Sequence, residues 1–219
     1  MGKTAIILGA TGLTGNILLK KLIADKNYSC IKLFSRNKVD LNSEKIQEFL
    51  IDVLQLDQHS KDFIADEVFC CVGTTAAKTK DKNSYKAIDY GIPVNAAKLA
   101  KKNGIKTFVV ISSMGADAKS AIFYNRTKGE MEHAILQQNI KNTIILRPSL
   151  IGGNRNENRV GERIGKGMMT ILNPFLIGGF KKYKMIDPEK IASCMMLLAN
   201  KPNNKSIFSS DEIQEIATT

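Results

Sequence analysis

The 219-residue chain reads as an α/β protein, a doubly wound parallel sheet with a small C-terminal lid. Three observations lead there. Short apolar or β-branched runs alternate with longer amphipathic stretches, the rhythm of successive βαβ units. Interior runs such as Glu67–Val72 and Thr107–Ser112 are almost wholly apolar, as strands covered on both faces must be. A glycine-rich turn, Gly9 to Gly15, joins the first apolar run to the first amphipathic stretch.

In chain order, Thr4–Leu8 is the first strand, and a helix follows from about Gly12 to Asp25 with Ile17, Leu18, Leu22 and Ile23 on one side. Cys30–Phe34 is the second strand, Lys45–Ile51 contains the third, and Glu67–Val72 is the fourth. Ser84–Asn103 is a long helix in which Pro93, lacking an amide N–H, introduces a kink or a break. Asn103-Gly104 stops it. Thr107–Ser112 is the fifth strand, Phe123–Gln138 a helix and Thr143–Leu146 the sixth strand.

Beyond Pro148 the rhythm changes. Gly152-Gly153-Asn154 opens a loop, a helix spans about Arg159–Leu172, and Asp187-Pro188 starts another that runs to about Asn200. Ser206–Phe208 adds a last short strand. The whole reads as one domain, with residues 1–150 as a core and 151–219 as the lid or substrate part. Within the lid, Met168, Met169, Leu172, Phe175, Leu176 and Phe180 form either an apolar pocket wall or the core of a small subdomain.

Composition narrows the class. With 43% hydrophobic and 24% charged residues the chain is an ordinary globular one. Lys+Arg number 32 against 21 Asp+Glu, a net charge of +11. The lysine gatherings at Lys78/Lys80/Lys82, Lys101/Lys102/Lys106 and Lys181/Lys182/Lys184 are not interleaved with aromatics, and Trp is absent. That disfavours nucleic acid and leaves an anionic small ligand or simple solubility to account for the charge. No 18-residue apolar run suggests a membrane span, and the first residues lack a secretory layout, so a cytoplasmic protein is expected. Cys30, Cys70, Cys71 and Cys194 have no CxxC spacing and read as reduced core residues; His59 and His133 form no metal-ligand pattern.

Gly9-Ala10-Thr11-Gly12-Leu13-Thr14-Gly15 has the spacing GxxGxxG at a strand-to-helix turn. Glycine is needed where the backbone bends tightly and where a pyrophosphate approaches, and the helix that opens there turns bare N–H groups towards an anion. Dinucleotide binding is the expectation. The second strand ends Phe34-Ser35-Arg36, where NAD-binding proteins usually carry an acid for the ribose hydroxyls. Ser35 donates to phosphate oxygens and Arg36 pairs with them, so NADP is favoured over NAD. Asp52 ends the third strand and suits either the adenine amino group or a helix cap. Val72, Gly73, Thr74 and Thr75 follow the fourth strand, at the edge where an adenine ribose would lie.

The fifth strand ends Ser112-Ser113, and the next helix carries Tyr124 and Lys128. Tyr and Lys at i and i+4 share a helix face, and a nearby ammonium favours the phenolate, drawing the tyrosine towards acid/base work. The same lysine can hold a ribose, and a serine hydroxyl at the strand end can orient a substrate oxygen. Tyr28 and Lys32 share the spacing without a catalytic setting, so the position after the fifth strand carries the argument.

These segments together resemble the atypical short-chain dehydrogenase/reductases, in the NAD(P)-binding group of Tat-interacting-protein oxidoreductases and NmrA-like proteins. The matching text is GATGLTG at Gly9–Gly15, SRN at Ser35–Asn37, CVGTT at Cys71–Thr75, SSMGAD at Ser112–Asp117, YNRTKGEME at Tyr124–Glu132 and LRPSLIGG at Leu146–Gly153. The resemblance runs along essentially the whole chain. It implies a Rossmann-type fold with the dinucleotide in the crevice at the carboxyl edge of the sheet. It further implies Tyr124 as proton donor, Lys128 as its electrostatic partner and ribose anchor, and Ser113 or Ser112 as the substrate-orienting hydroxyl. Pro148, Ser149, Leu150 and Ile151 would flank the nicotinamide. Two departures stand out: Ser113 and Tyr124 are only 11 residues apart, and Asp89 stands where many relatives carry Asn.

The resulting expectation is an NADP(H)-dependent oxidoreductase that passes hydride to a small carbonyl-like substrate with Tyr124 as proton donor. The alternative is an NADP(H)-binding regulatory or assembly protein whose occupancy shifts a surface used by a protein partner. Neither Ser84–Asn103 nor Phe123–Gln138 shows a clear exposed apolar stripe, which favours a monomer.

Overall fold

The computed structural model describes residues 2–75, 78–152 and 184–218. Seven strands, β1 (Lys3–Leu8), β2 (Tyr28–Ser35), β3 (Ile46–Leu50), β4 (Glu67–Cys70), β5 (Thr107–Ile111), β6 (Asn142–Arg147) and β7 (Ile207–Ser209), form one sheet. Their order is β3-β2-β1-β4-β5-β6-β7, and every pair is parallel. The helices are α1 (Leu13–Ala24), α2 (Lys82–Lys86), α3 (Ile92–Lys102), α4 (Phe123–Leu136), α5 (Pro188–Ala199) and α6 (Ser210–Ile216), with a 3-10 helix at Val53–His59. This is the expected doubly wound, Rossmann-type architecture. Its strand order reverses between β1 and β4, which opens a crevice above their carboxyl ends.

Alternation along each strand feeds two cores. In β1, Ala5 and Ile7 join α1, α5 and α6 on one face, with Leu18, Leu22, Met195 and Ile213. Ile6 and Leu8 join the other face, with Val94, Ala97, Met131 and Ile135 from α3 and α4. There Phe34 stacks on Phe49 at 4.6 Å between ring centroids.

The long helix around Pro93 neither breaks nor simply kinks. A π-helical turn, Ala87–Gly91, links α2 to α3, and the Ile92 N–H reaches back five residues to the Ala87 carbonyl. Pro93 has no N–H to give the Asp89 carbonyl, so the ladder shifts register just before it. Residues 188–218, grouped with the lid in the sequence, supply α5, the seventh strand and α6 to the sheet. Helix α6 was not anticipated; its signal is the capping box Ser209-x-x-Glu212, in which the Ser209 N–H donates to the Glu212 carboxylate at 2.8 Å. The expected helix at Arg159–Leu172 and the apolar group Met168, Met169, Leu172, Phe175, Leu176 and Phe180 lie outside the described residues. Among the described residues no helix is long and apolar enough to cross a membrane.

At the opposite, amino edge of the sheet, Tyr28 donates to the buried Glu67 carboxylate at 2.6 Å, and Lys3 pairs with the same group. Asn200, just past α5, donates to the Tyr28 oxygen at 3.2 Å, which ties the end of α5 to the sheet. Burial, then Glu67, pushes the Tyr28 hydroxyl well above the ordinary tyrosine range. An unfolded tyrosine ionises near pH 10, so the unfolded chain releases this proton first. Stability is therefore complete below about pH 10 and falls as pH rises beyond it. Thermal melts across about pH 9 to 11 should show a shallower decline in Tyr28→Phe than in the wild type. Some slope will remain from Tyr85, which burial also pushes up. Identical slopes would mean that the Tyr28 proton is as easily lost in the folded state.

Candidate active site

The glycine turn is built around contacts that admit no side chain. Gly9 has φ +86°, and a Cβ on it would lie 2.9 Å from the Cys71 carbonyl at the end of β4. A Cβ on Gly15 would lie 2.1 Å from the Gly9 oxygen, so the first turn of α1 rests directly on the loop. Gly12 is the N-cap of α1; no side chain caps that end and no acid lies in its first turn. The helix therefore offers bare N–H groups and the positive end of its dipole to the crevice. Those donors, on a floor kept clear by glycine, fit a dinucleotide pyrophosphate.

A cavity of about 750 Å³ opens there. Thr11, Gly12, Leu13 and Thr14 line one wall, and Val72, Gly73, Thr74 and Thr75 a second. Ser112, Ser113, Tyr124, Lys128 and the segment Pro148, Ser149, Leu150 and Ile151 complete it. Gly9 and Gly15 shape the turn from behind. Ser35, Arg36 and Asp52 are not on the wall: the Ser35 hydroxyl donates to the Asn37 carbonyl at 2.7 Å, Arg36 is exposed, and Asp52 caps the 3-10 helix by accepting the Leu54 N–H at 3.0 Å. Sequence reasoning did not foresee Cys71, Lys78, Ile111, Met114 or Gly115 as lining residues, nor Asp89 as one. For Cys71, Ile111, Met114 and Gly115 the signal was adjacency to the ends of β4 and β5, whereas Lys78 and Asp89 are brought in from farther along the chain.

The ten residues between Ser113 and Tyr124 fold back along α4. The Asp117 N–H donates to the Asn125 carbonyl at 3.0 Å, and a Cβ on Gly129 would strike the Ala118 nitrogen at 2.1 Å. Tyr124 is 39% exposed and open to the cavity, its ring edge-on to Tyr85 at 6.3 Å between centroids. Lys128 is buried, with its ammonium 2.8 Å from Asp89 Oδ1. Burial weakens its charge most, but Asp89, with Tyr124 and Cys70, offsets that and holds the ammonium above the usual lysine range.

The two serines differ. Ser112 donates to the buried Glu132 carboxylate, which also receives Arg147 through Nε at 3.0 Å. The Ser113 hydroxyl is buried and has no partner among the described residues. A buried hydroxyl left unpaired costs about 1–3 kcal/mol, and at the cavity it is placed to donate to an oxygen that enters there. The Ser149 hydroxyl donates to the Lys184 carbonyl and accepts from Ser210 at 3.0 Å, which ties three segments together at the cavity wall.

Several known proteins are similar. The family model described as NAD(P)H-binding matches residues 9–170. Protein HTATIP2 of Rattus norvegicus is 32% identical over 168 residues, covering 75% of this chain and 69% of that protein. Protein FMP52 of Debaryomyces hansenii, named as mitochondrial, is 33% identical over 209 residues, 91% of this chain and 88% of its own. Among solved structures, the UDP-glucose 4-epimerase of Thermotoga maritima superposes with a TM-score of 0.71 at 14% identity, covering 98% of this chain and 81% of that one. The Bordetella bronchiseptica enzyme WbmG in complex with NAD gives 0.70 at 13% identity, covering 100% and 77%. At such identities the structures speak for the fold alone.

Arg147→Met would leave the Glu132 carboxylate buried and without its cation, and should cost about 3–5 kcal/mol in chemical denaturation. The double variant with Glu132→Gln should recover much of that loss. A single variant within about 0.5 kcal/mol of wild type would show the pair to be dispensable.

Proposed function

The chain belongs to the NAD(P)H-binding family, and from that premise we propose that it is an NADP(H)-dependent oxidoreductase of the short-chain dehydrogenase/reductase type. Its substrate is a small carbonyl-like compound. One observation carries the reading: the Ser113 hydroxyl, without a partner among the described residues, borders the same cavity as Tyr124 and Lys128.

The bare N–H groups at the start of α1 hold the pyrophosphate, and Gly73, Thr74 and Thr75 hold the adenine ribose. Arg36, exposed, pairs with the 2′-phosphate, and the Ser35 hydroxyl exchanges the Asn37 carbonyl for that phosphate. Asp52 is available to the adenine amino group through the oxygen that the cap does not use. Lys128 anchors the nicotinamide ribose, and Pro148 to Ile151 flank the ring. When bound, the reduced cofactor supplies a hydride to the substrate carbon.

The chain's own residues handle the oxygen. Ser113 donates a hydrogen bond that fixes the carbonyl, and Tyr124 passes its proton to the oxygen as charge develops there. The carbonyl thus gains one hydride and one proton and leaves as an alcohol. Lys128, buried beneath the tyrosine's helix face, holds the ribose and the ring of Tyr124 in register.

NADPH oxidation against a panel of carbonyl compounds tests this reading. Tyr124→Phe should lower kcat by about 10²- to 10⁴-fold with NADPH binding retained. Turnover that survives the substitution would remove Tyr124 from the chemistry. In calorimetry NADPH should bind at least about tenfold more tightly than NADH, a difference of about 1.4 kcal/mol, and Arg36→Glu should erase it. Equal affinities in the wild type would overturn the preference for NADP.

A further inference from the structure

Lys128 is not a lone cation. Its ammonium and Asp89 Oδ1 are 2.8 Å apart, with side chains only 5% and 1% exposed. The other carboxylate oxygen accepts the Thr74 N–H at 2.7 Å. Gly73 packs beside the pair: a Cβ there would lie in ordinary contact, 3.6 Å from Asp89 Oδ1 and 3.8 Å from Lys128 Nζ. One carboxylate thus joins the turn after β4, the π-helical turn and α4. It does so one helical turn along α4 from Tyr124.

We propose that Asp89 is a positioning residue that holds Lys128 in place and cancels its charge, so that Tyr124 faces a neutral pair and keeps its proton at neutral pH. That this proton then goes to a carbonyl oxygen rests on the oxidoreductase reading above; the charge cancellation does not. A tyrosine beside a lone ammonium is drawn towards phenolate, the base that alcohol oxidation needs. Beside an ion pair it meets two opposed fields, and the carboxylate offsets the pull of the ammonium.

No other group in the surroundings takes over the role of Asp89. Tyr85 on α2 and Cys70 on β4 are both pushed up by burial, Cys70 to about 11, and so are uncharged at neutral pH. On α4, Glu130 is paired with Lys86 and Glu132 with Arg147. Lys78 lines the same cavity.

The test reads phenolate formation at Tyr124 directly. Each protein is titrated with base, and the absorbance of its Tyr124→Phe counterpart is subtracted, which requires neither substrate nor turnover. Asp89→Asn keeps an acceptor for Thr74 but removes the charge. Its Tyr124 phenolate should form at a pH lower by about one unit or more, a tenfold change in ionisation. Lys128→Met should move it upward, and the Asp89→Asn/Lys128→Met double variant should return to within about half a unit of wild type. An unmoved titration in Asp89→Asn overturns the proposal, as does a double variant that follows either single one. If Asp89→Asn does not fold, the double variant buries no lone charge and carries the same comparison with wild type. NADPH titration of the wild type, run in parallel, reports on the nucleotide reading alone, so the two can fail separately.

Discussion

The backbone-to-backbone approach between the first turn and the end of β4 is the constraint from which the site follows. Gly9 lies against the Cys71 carbonyl and Gly15 against Gly9, both closer than any Cβ permits. That contact seats α1 with its amino end over the crevice and leaves Gly12 facing it. A methyl group at either position would lift the helix off the loop and move its donors. The glycines therefore act twice: they let the chain turn, and they leave nothing between the amides and an approaching anion.

Around that seat the molecule spends its buried charge in pairs. Glu67 gathers Lys3 and Tyr28 at the amino edge, Glu132 gathers Arg147 and Ser112 behind the strand ends, and Asp89 gathers Lys128 and the Thr74 amide within the cavity. Each carboxylate joins elements distant in sequence. A buried ion pair is weak evidence for net stability but strict about geometry, because losing one partner strands the other. In the first two networks strictness serves the frame. In the third it reaches the residues that line the cavity.

Much of the site could be read from the residues because its parts lie at ends of local patterns. The apolar runs marked β1, β4 and β5, the glycine spacing marked the turn, and the Tyr124/Lys128 pair followed from one helical repeat. Less legible were features that depend on two segments meeting. Ser112 and Ser113 are equivalent in sequence, and only the approach of Glu132 from α4 occupies one and leaves the other without a partner among the described residues. Pro93 announced a disturbance, but its form as a π-helical turn depended on continued burial of the helix on both sides of it. Helix α6 was missed because seven residues show too little periodicity, although its capping box was there to be read.

By itself the sequence determined the succession of the seven strands, the carboxyl edge at which the cavity opens, and most of the side chains that line it. These follow from periodicity, backbone freedom and hydrogen-bonding capacity, all of which act over a few residues. Tertiary structure decided which of those side chains are already engaged. Lys128 became half of an ion pair, Ser149 an anchor for the chain and Asp52 a cap, while the Ser113 hydroxyl stayed buried without a partner among the described residues. Burial and pairing depend on what the rest of the fold brings alongside, and no window of sequence contains that.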